Sequence, residues 1–197
     1  MNKYSTYFQY NWIKYLLIII VPLVFWLIVY SDIDQVKYDE SVKILYIGDY
    51  LDEEQLQNDI SSNISSITTQ KLEYVSVMTY SGAEEVVYDY LRNKIYSVDI
   101  VIISEEFMDK ELISQIFTPL TNNLKQEFKN ADFVSVEEYF YGINALEESP
   151  IYKCYSKNEK VSVFLSQHSL NIAKAYGYGK VENDAAIKIA KYIAGVK

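Results

Sequence analysis

Residues 99–104 read DIVIIS, four consecutive aliphatic residues between an aspartate and a serine. Such a run, bounded by polar residues, is the pattern of a strand covered on both faces, as in parallel sheets packed between helices. The preceding chain has the same character. VKILYIGDY (42–50) begins as a buried strand and breaks at Gly48, and KLEYVSVMTY (71–80) reads as a second strand. Between them DEEQLQNDISSNISSI (52–67) sets Leu56, Ile60, Ile64 and Ile67 at helical spacing. In SGAEEVVYDYLRNK (81–94), Val86, Val87, Tyr90 and Leu91 form an apolar stripe, and Ser81 with Glu84 matches a capping box. Strand, helix, strand, helix, strand from 42 to 104 predicts two βαβ units, and so an α/β, three-layer domain on a parallel sheet.

Beyond that point DKELISQIF (109–117) reads as a helix ended by Pro119, and Leu120, Leu124 and Phe128 outline another. FVSV (133–136) and VSVFL (161–165) are short strand patterns. NDAAIKIAKYIAG (183–195) predicts a C-terminal helix, capped by Asn183 and closed by Gly195. EEYFYGINALEESPIYKCYSKN (137–158) carries no period that assigns it to an element, and the chain has no internal repeat.

The N-terminus imposes a second constraint. From Tyr15 to Ser31 there is no charged residue, and Trp12, Ile13 and Lys14 extend the stretch toward the length that spans a bilayer as a helix, about 20 residues. Trp12, Trp26 and Tyr30 suit the interfaces, and Pro22 is tolerated in a membrane helix. The run ends VYSDIDQ without the small-x-small site of a cleaved signal, so the expectation is an uncleaved anchor. Lys3 and Lys14 precede it, whereas Asp32, Asp34, Asp39 and Glu40 follow with Lys37 alone. Positive residues stay inside. The expected organisation is a short cytoplasmic N-terminus (1–14), a membrane helix (15–31), a stalk (32–41) and an extracytoplasmic α/β domain (42–197) in the cell membrane.

All 27 acids but 16 of the 18 basic residues fall after residue 31, which leaves that part with a formal charge of −11. Such a charge argues against nucleic acid and suits cationic ligands or partners. Cys154 is the only cysteine, so no internal disulfide is available; it reads as a buried apolar residue or as a thiol that could pair between chains.

TYSGAEEVVYDYLRNKIYSVDIVIISEEFMDKELISQIFTPL (79–120) resembles the first lobe of type 2 periplasmic binding proteins, in particular the polyamine- and iron-binding solute receptors of ABC importers. The resemblance rests on a helix opening with Ser81, Gly82, Glu84 and Glu85, a basic turn at Arg92 and Lys94, the run from Asp99 to Ile102, and a helix leading to Pro119-Leu120. Residues 160–195 are similar to the returning C-terminal segment of such receptors. Members enclose the ligand between two lobes; after residue 120 there is room for one lobe and an appendage, so the resemblance implies a shortened or single-lobe, membrane-anchored version. It implies a non-enzymatic role beside a membrane transporter or another envelope protein.

In an open α/β sheet, ligands sit outside the carboxyl ends of parallel strands. Three ends converge there, which makes Asp49, Tyr50, Tyr80, Ser81, Gly82, Ser104 and Glu105 the expected ligand-binding residues. A small cationic or polar solute held by Asp49 and Glu105 under Tyr80 would combine charge pairing with ring-face attraction. The N–H groups at Ser81–Ala83, opening a helix, would instead suit an anion, against the nearby acids. The plain alternative is a set of solvated loop acids. Glu105 and Glu106 are adjacent on an extended chain and so point apart, unlike an opposed acid/base pair. His168 and Cys154 carry no motif of a catalytic dyad, and no GxGxxG, P-loop or GxSxG pattern occurs. The expectation is no catalysis, no metal and no cofactor. The alternative to a solute-binding-like domain is an interaction module that no longer binds a small molecule; a third reading is a hydrolase using Glu105 or Cys154.

Overall fold

The computed structural model describes residues 12, 14, 16–26, 40–49, 51–155, 159–169, 171–177 and 184–196. The chain divides into two compact units, 1–36 and 37–197. In the first, residues 16–26 are helical and every one of them is exposed, including Phe25 and Trp26. No helix among the described residues is long and apolar enough to cross a membrane. The expected span also takes in residues 15 and 27–31, which lie outside those described.

The second unit is a mixed α/β domain on one six-stranded sheet. Its strands are β1 (Ser41–Ile47), β2 (Tyr74–Tyr80), β3 (Ile100–Ser104), β4 (Asp132–Val136), β5 (Tyr139–Asn144) and β6 (Val161–Leu165), in the order β2-β1-β3-β6-β5-β4. β1 pairs in parallel with β2 and β3, whereas β6, β5 and β4 are joined by antiparallel pairs. The expected parallel sheet is therefore half of the sheet found. The correction lies in 139–144: this stretch is β5, joined to β4 through Glu137-Glu138, and a two-residue connection can only make an antiparallel hairpin.

The helices are α1 (Glu53–Ile67), α2 (Glu84–Lys94), α3 (Lys110–Ile116), α4 (Asn122–Glu127) and α5 (Ala185–Ala194). α1 begins where Asp52 accepts the Gln55 N–H at 2.9 Å, and α3 where Asp109 accepts the Glu111 and Leu112 N–H groups. The Ser81–Glu84 capping box does not form. α2 starts at Glu84 after an extended Ala83, so Ser81 stands too far upstream to cap it. Asn183 lies outside the described residues; Gly195, in the left-handed region, closes α5 as expected.

Helices cover both faces, giving three layers. On one face Ile44, Ile100, Ile102 and Val163 pack against Leu56 and Ile60 of α1 and Ile189 and Ile193 of α5. On the other, Leu45, Val101, Ile103 and Phe164 pack against Val87 and Leu91 of α2 and Ile113 of α3. Every residue of β3 is buried, which is why its sequence is a continuous apolar run. Gly142 in β5 is needed for close approach: a Cβ there would lie 2.6 Å from the Phe164 ring.

Candidate functional site at the carboxyl ends of the parallel strands

The parallel register sets Ile47 level with Tyr80 and with Ile103, so the three expected strand ends do meet at one edge. Gly48 turns the chain there. Its φ of +145° is open to glycine, its N–H donates to Tyr80 O at 3.1 Å, and a Cβ would fall 2.6 Å from both Ser104 Oγ and the Tyr46 hydroxyl. Tyr46, fully buried, donates its hydroxyl to Asp49 O at 2.8 Å. Burial first, and then the neighbouring Tyr155, push its pKa far above the ordinary phenol value, so it stays a neutral structural hydroxyl. Ser104 is also fully buried, and its Oγ has no hydrogen-bond partner among the described residues.

The other expected site residues are distributed around this turn. Asp49 is half-buried, Ser81, Gly82 and Glu105 are exposed, and Tyr50 lies outside the described residues. Tyr80 is stacked on Tyr90 with ring centroids 3.9 Å apart, so one of its faces is already occupied. Lys94 sits 5.8 Å from the Tyr90 ring, so the cation facing an aromatic ring here is one of the chain's own. Glu105 and Glu106 open a short 3-10 turn, Glu105–Phe107, and are not in extended chain; their separation is that of a tight turn. The turn is fastened by the Glu105 N–H donating to Lys160 O at 2.8 Å, and by Tyr88, whose hydroxyl donates to Phe107 O and accepts from the Asp109 N–H.

Part of the edge is filled by the chain itself. Pro150–Lys153 form a 3-10 turn whose neighbours reach the end of β1: the Asp52 N–H donates to Cys154 O at 2.9 Å, Gln55 Nε2 donates to Lys153 O, and Leu51 bridges Tyr155. Tyr155 meets Tyr46 edge-on at 6.1 Å and donates to Glu159 Oε2 at 3.3 Å, while the Tyr152 hydroxyl accepts from the Val161 N–H. Ile151, Cys154 and Tyr155 are buried in this contact.

Beside the covered edge opens a cavity of about 220 Å³ lined by Glu105, Met108, Lys110, β4, Asn144, Lys160 and Ser162. Its floor is a polar ladder: Ser162 Oγ donates to Asn144 Oδ1, and Asn144 Nδ2 donates to Asp132 Oδ2, each at 2.7 Å. Of these residues only Glu105 belongs to the expected site. The missed signal is the pair of strand patterns DFVSV and YFYGIN on either side of Glu137-Glu138, a hairpin that carries Asn144 to the ladder.

Cys154 and His168 stand at opposite ends of the sheet. Cys154 adjoins the chain just after β1, whereas His168 follows β6, whose last residue pairs with the first of β3. Burial, with Asp59 and Asp52 adding to it, pushes the Cys154 thiol up to about 11, the opposite of an activated nucleophile. His168 is exposed against the Tyr96 ring. Among the described residues no three His, Cys, Asp or Glu side chains gather as metal ligands would.

No protein-family model matches the chain, and no curated protein matches it.

Proposed function

We propose that this chain is a non-enzymatic, membrane-anchored extracytoplasmic domain of the type 2 periplasmic-binding-protein kind, working beside a membrane transporter or another envelope complex through contact with a protein partner. The observation that carries the choice of a protein partner is the filling of the strand-end edge: residues 149–155 seat on the end of β1, and Tyr90 takes one face of Tyr80. A solute held over Asp49 and Tyr80 would have to fit beside both, with only one face of Tyr80 to pack on. Support for the anchor comes from the uncharged run 15–31 and from the exposure of all its apolar side chains between 16 and 26. Orientation follows from the flanking charges.

Cross-linking of the full chain in its own membranes tests this reading. A photoreactive residue in place of Glu105 is expected to trap a membrane protein, and protease added from outside is expected to remove residues 32–197. A chain released by alkaline washing, or trapping nothing, refutes it.

The 220 Å³ cavity beside Glu105 favours a second reading, weak recognition of a small cationic or polar solute. Thermal unfolding of residues 37–197 with polyamines, amino acids, sugars and metal ions tests it. At about 100 times its dissociation constant a ligand adds about 2.7 kcal/mol, a shift of several degrees that Glu105→Ala should abolish.

A further inference from the structure

The sheet has two edges, and they are finished differently. On the β2 side, two outward N–H groups are taken by side chains of α1. Val77 N–H donates to Gln57 Oε1 at 3.4 Å and Thr79 N–H to Glu53 Oε2 at 3.1 Å, with the Thr79 hydroxyl bonding the same carboxylate at 3.0 Å. An edge plugged in this way is a poor template for another strand. On the other side β4 pairs with β5 alone, and among the described residues no side chain bonds its main chain.

The 220 Å³ cavity adjoins this open edge, touching Phe133, Val134 and Ser135 in succession. Consecutive side chains of a strand point to opposite faces, so a cavity touching three in a row reaches the main chain itself. Lys110 and Lys160 stand on its lining, each exposed and without an ion pair among the described residues, against Glu105 and the Asp132 carboxylate that Asn144 Nδ2 binds at the floor. Two lysines against two acids leave the mouth locally balanced on a part of the chain whose formal charge is −11. The rest of that acidic surface repels an acidic segment, and the two lysines without ion pairs among the described residues give it one place to dock.

We propose that β4 is a strand-addition site, where an extended segment of a partner protein pairs with the outer edge and directs an aspartate or glutamate toward Lys110 and Lys160. The mode divides the work as strand addition does elsewhere: main-chain bonds hold the segment, and a pocket beside the edge selects its side chain. β4 is only five residues long, so main-chain pairing is short and the charged contact carries a large share of selectivity. The inference rests on the protein-partner reading above and names that partner's chemistry.

The test is selection from a displayed library of random octapeptides on the full chain held in lipid nanodiscs. Recovered peptides are expected to be rich in β-branched residues and to share an acidic position. Their binding is expected to weaken about tenfold or more with Lys110→Glu/Lys160→Glu, and with N-methylation of alternate peptide amides, while Glu53→Gln at the opposite edge leaves it unchanged. Both lysines are exposed, so circular dichroism should show the charge-reversed chain folded. Recovery of no peptide, of peptides without acids, or of binding indifferent to N-methylation overturns the proposal. If that happens while the membrane cross-link persists, the partner reading stands and β4 is not its site; if the cross-link fails but acidic strands bind, the reverse holds.

Discussion

Asp99 offers the sharpest quantitative test of how this domain is held together. It is 1% exposed, at the amino end of β3, and it accepts from three groups that belong to different parts of the chain. The Lys43 N–H of β1 donates to Oδ2 at 2.7 Å; Asn171 Nδ2, at 3.0 Å, and the Ser169 hydroxyl donate to Oδ1. Asn171 Nδ2 also donates to Ser41 O, so one carboxylate joins β1, β3 and the turn after β6. Asp99→Ala leaves three donors without acceptors. A buried unsatisfied donor costs about 1–3 kcal/mol, and loss of the desolvated charge returns part of the total. The expected net loss is about 3–5 kcal/mol, out of the 5–15 kcal/mol typical of a domain. Urea unfolding of residues 37–197, followed by far-ultraviolet circular dichroism, reads it directly, with Asp99→Asn falling between because one acceptor oxygen remains. The pH dependence carries a sign. Burial raises the Asp99 pKa against the pull of Ser169, the Lys43 N–H and Asn171, so the folded chain keeps a proton that the unfolded chain releases. That contribution is complete below the unfolded value, about 4, and is lost as pH rises through the raised folded value. The stability advantage of the wild-type chain over Asp99→Asn should therefore shrink on going up from pH 4. A loss below about 1 kcal/mol for Asp99→Ala, or a gap that widens with pH in that range, refutes the assignment.

Other positions give simpler outcomes. Gly48→Ala combines a positive φ with a Cβ 2.6 Å from Ser104 Oγ and should cost about 2–4 kcal/mol in thermal unfolding. Glu137, at φ 53° in the β4–β5 turn, is strained for a side chain, so Glu137→Gly should gain about 0.5–1 kcal/mol in the same assay. Glu53→Ala/Gln57→Ala unplugs β2 and should raise concentration-dependent self-association in sedimentation above that of the wild-type chain. Cys154, its thiol raised to about 11, should react with an aromatic disulfide at pH 8 far more slowly in the folded chain than in urea.

The first half of the domain was legible because β1 and β3 are buried almost throughout, β2 keeps a buried centre, and each helix has one stripe. β1, β2 and β3 end within a few residues of the predicted positions, and α1 begins at the acid that caps it. Propensity failed where the chain changes direction within few residues. β5 was missed because YFYGIN alternates weakly and its turn residue, Glu137, is no turn former: a strained φ replaced the glycine or asparagine that would have announced a hairpin. The same stretch hid the site. Glu105 was found from the end of β3, but Lys110, Lys160 and Asn144 converge only once the antiparallel half of the sheet is in place. Asp99 was visible as the first residue of a motif, while its three donors come from positions 43, 169 and 171, pairings that no local pattern encodes.

The two ends of the parallel strands are closed by different means, and the difference bears on where recognition can occur. The amino end is tied by a buried carboxylate that draws in Ser169 and Asn171. At the carboxyl end, the edge where α/β sheets hold ligands, hydroxyls do the tying: Tyr46 bonds the Asp49 carbonyl, Tyr152 takes the Val161 N–H, and Tyr155 reaches Glu159. These groups are occupied in closing the fold, and burial holds the Tyr46 phenol neutral, so little polar capacity is left at the end of β1 for a solute. Capacity left over lies to one side, on the strand that has one neighbour and beside two lysines without ion pairs among the described residues. On the proposed reading, recognition has moved from the strand ends to the outer edge of the same sheet. An edge selects by main-chain pairing and a single pocket, so a partner's extended segment is a better match to it than a solute that must be surrounded.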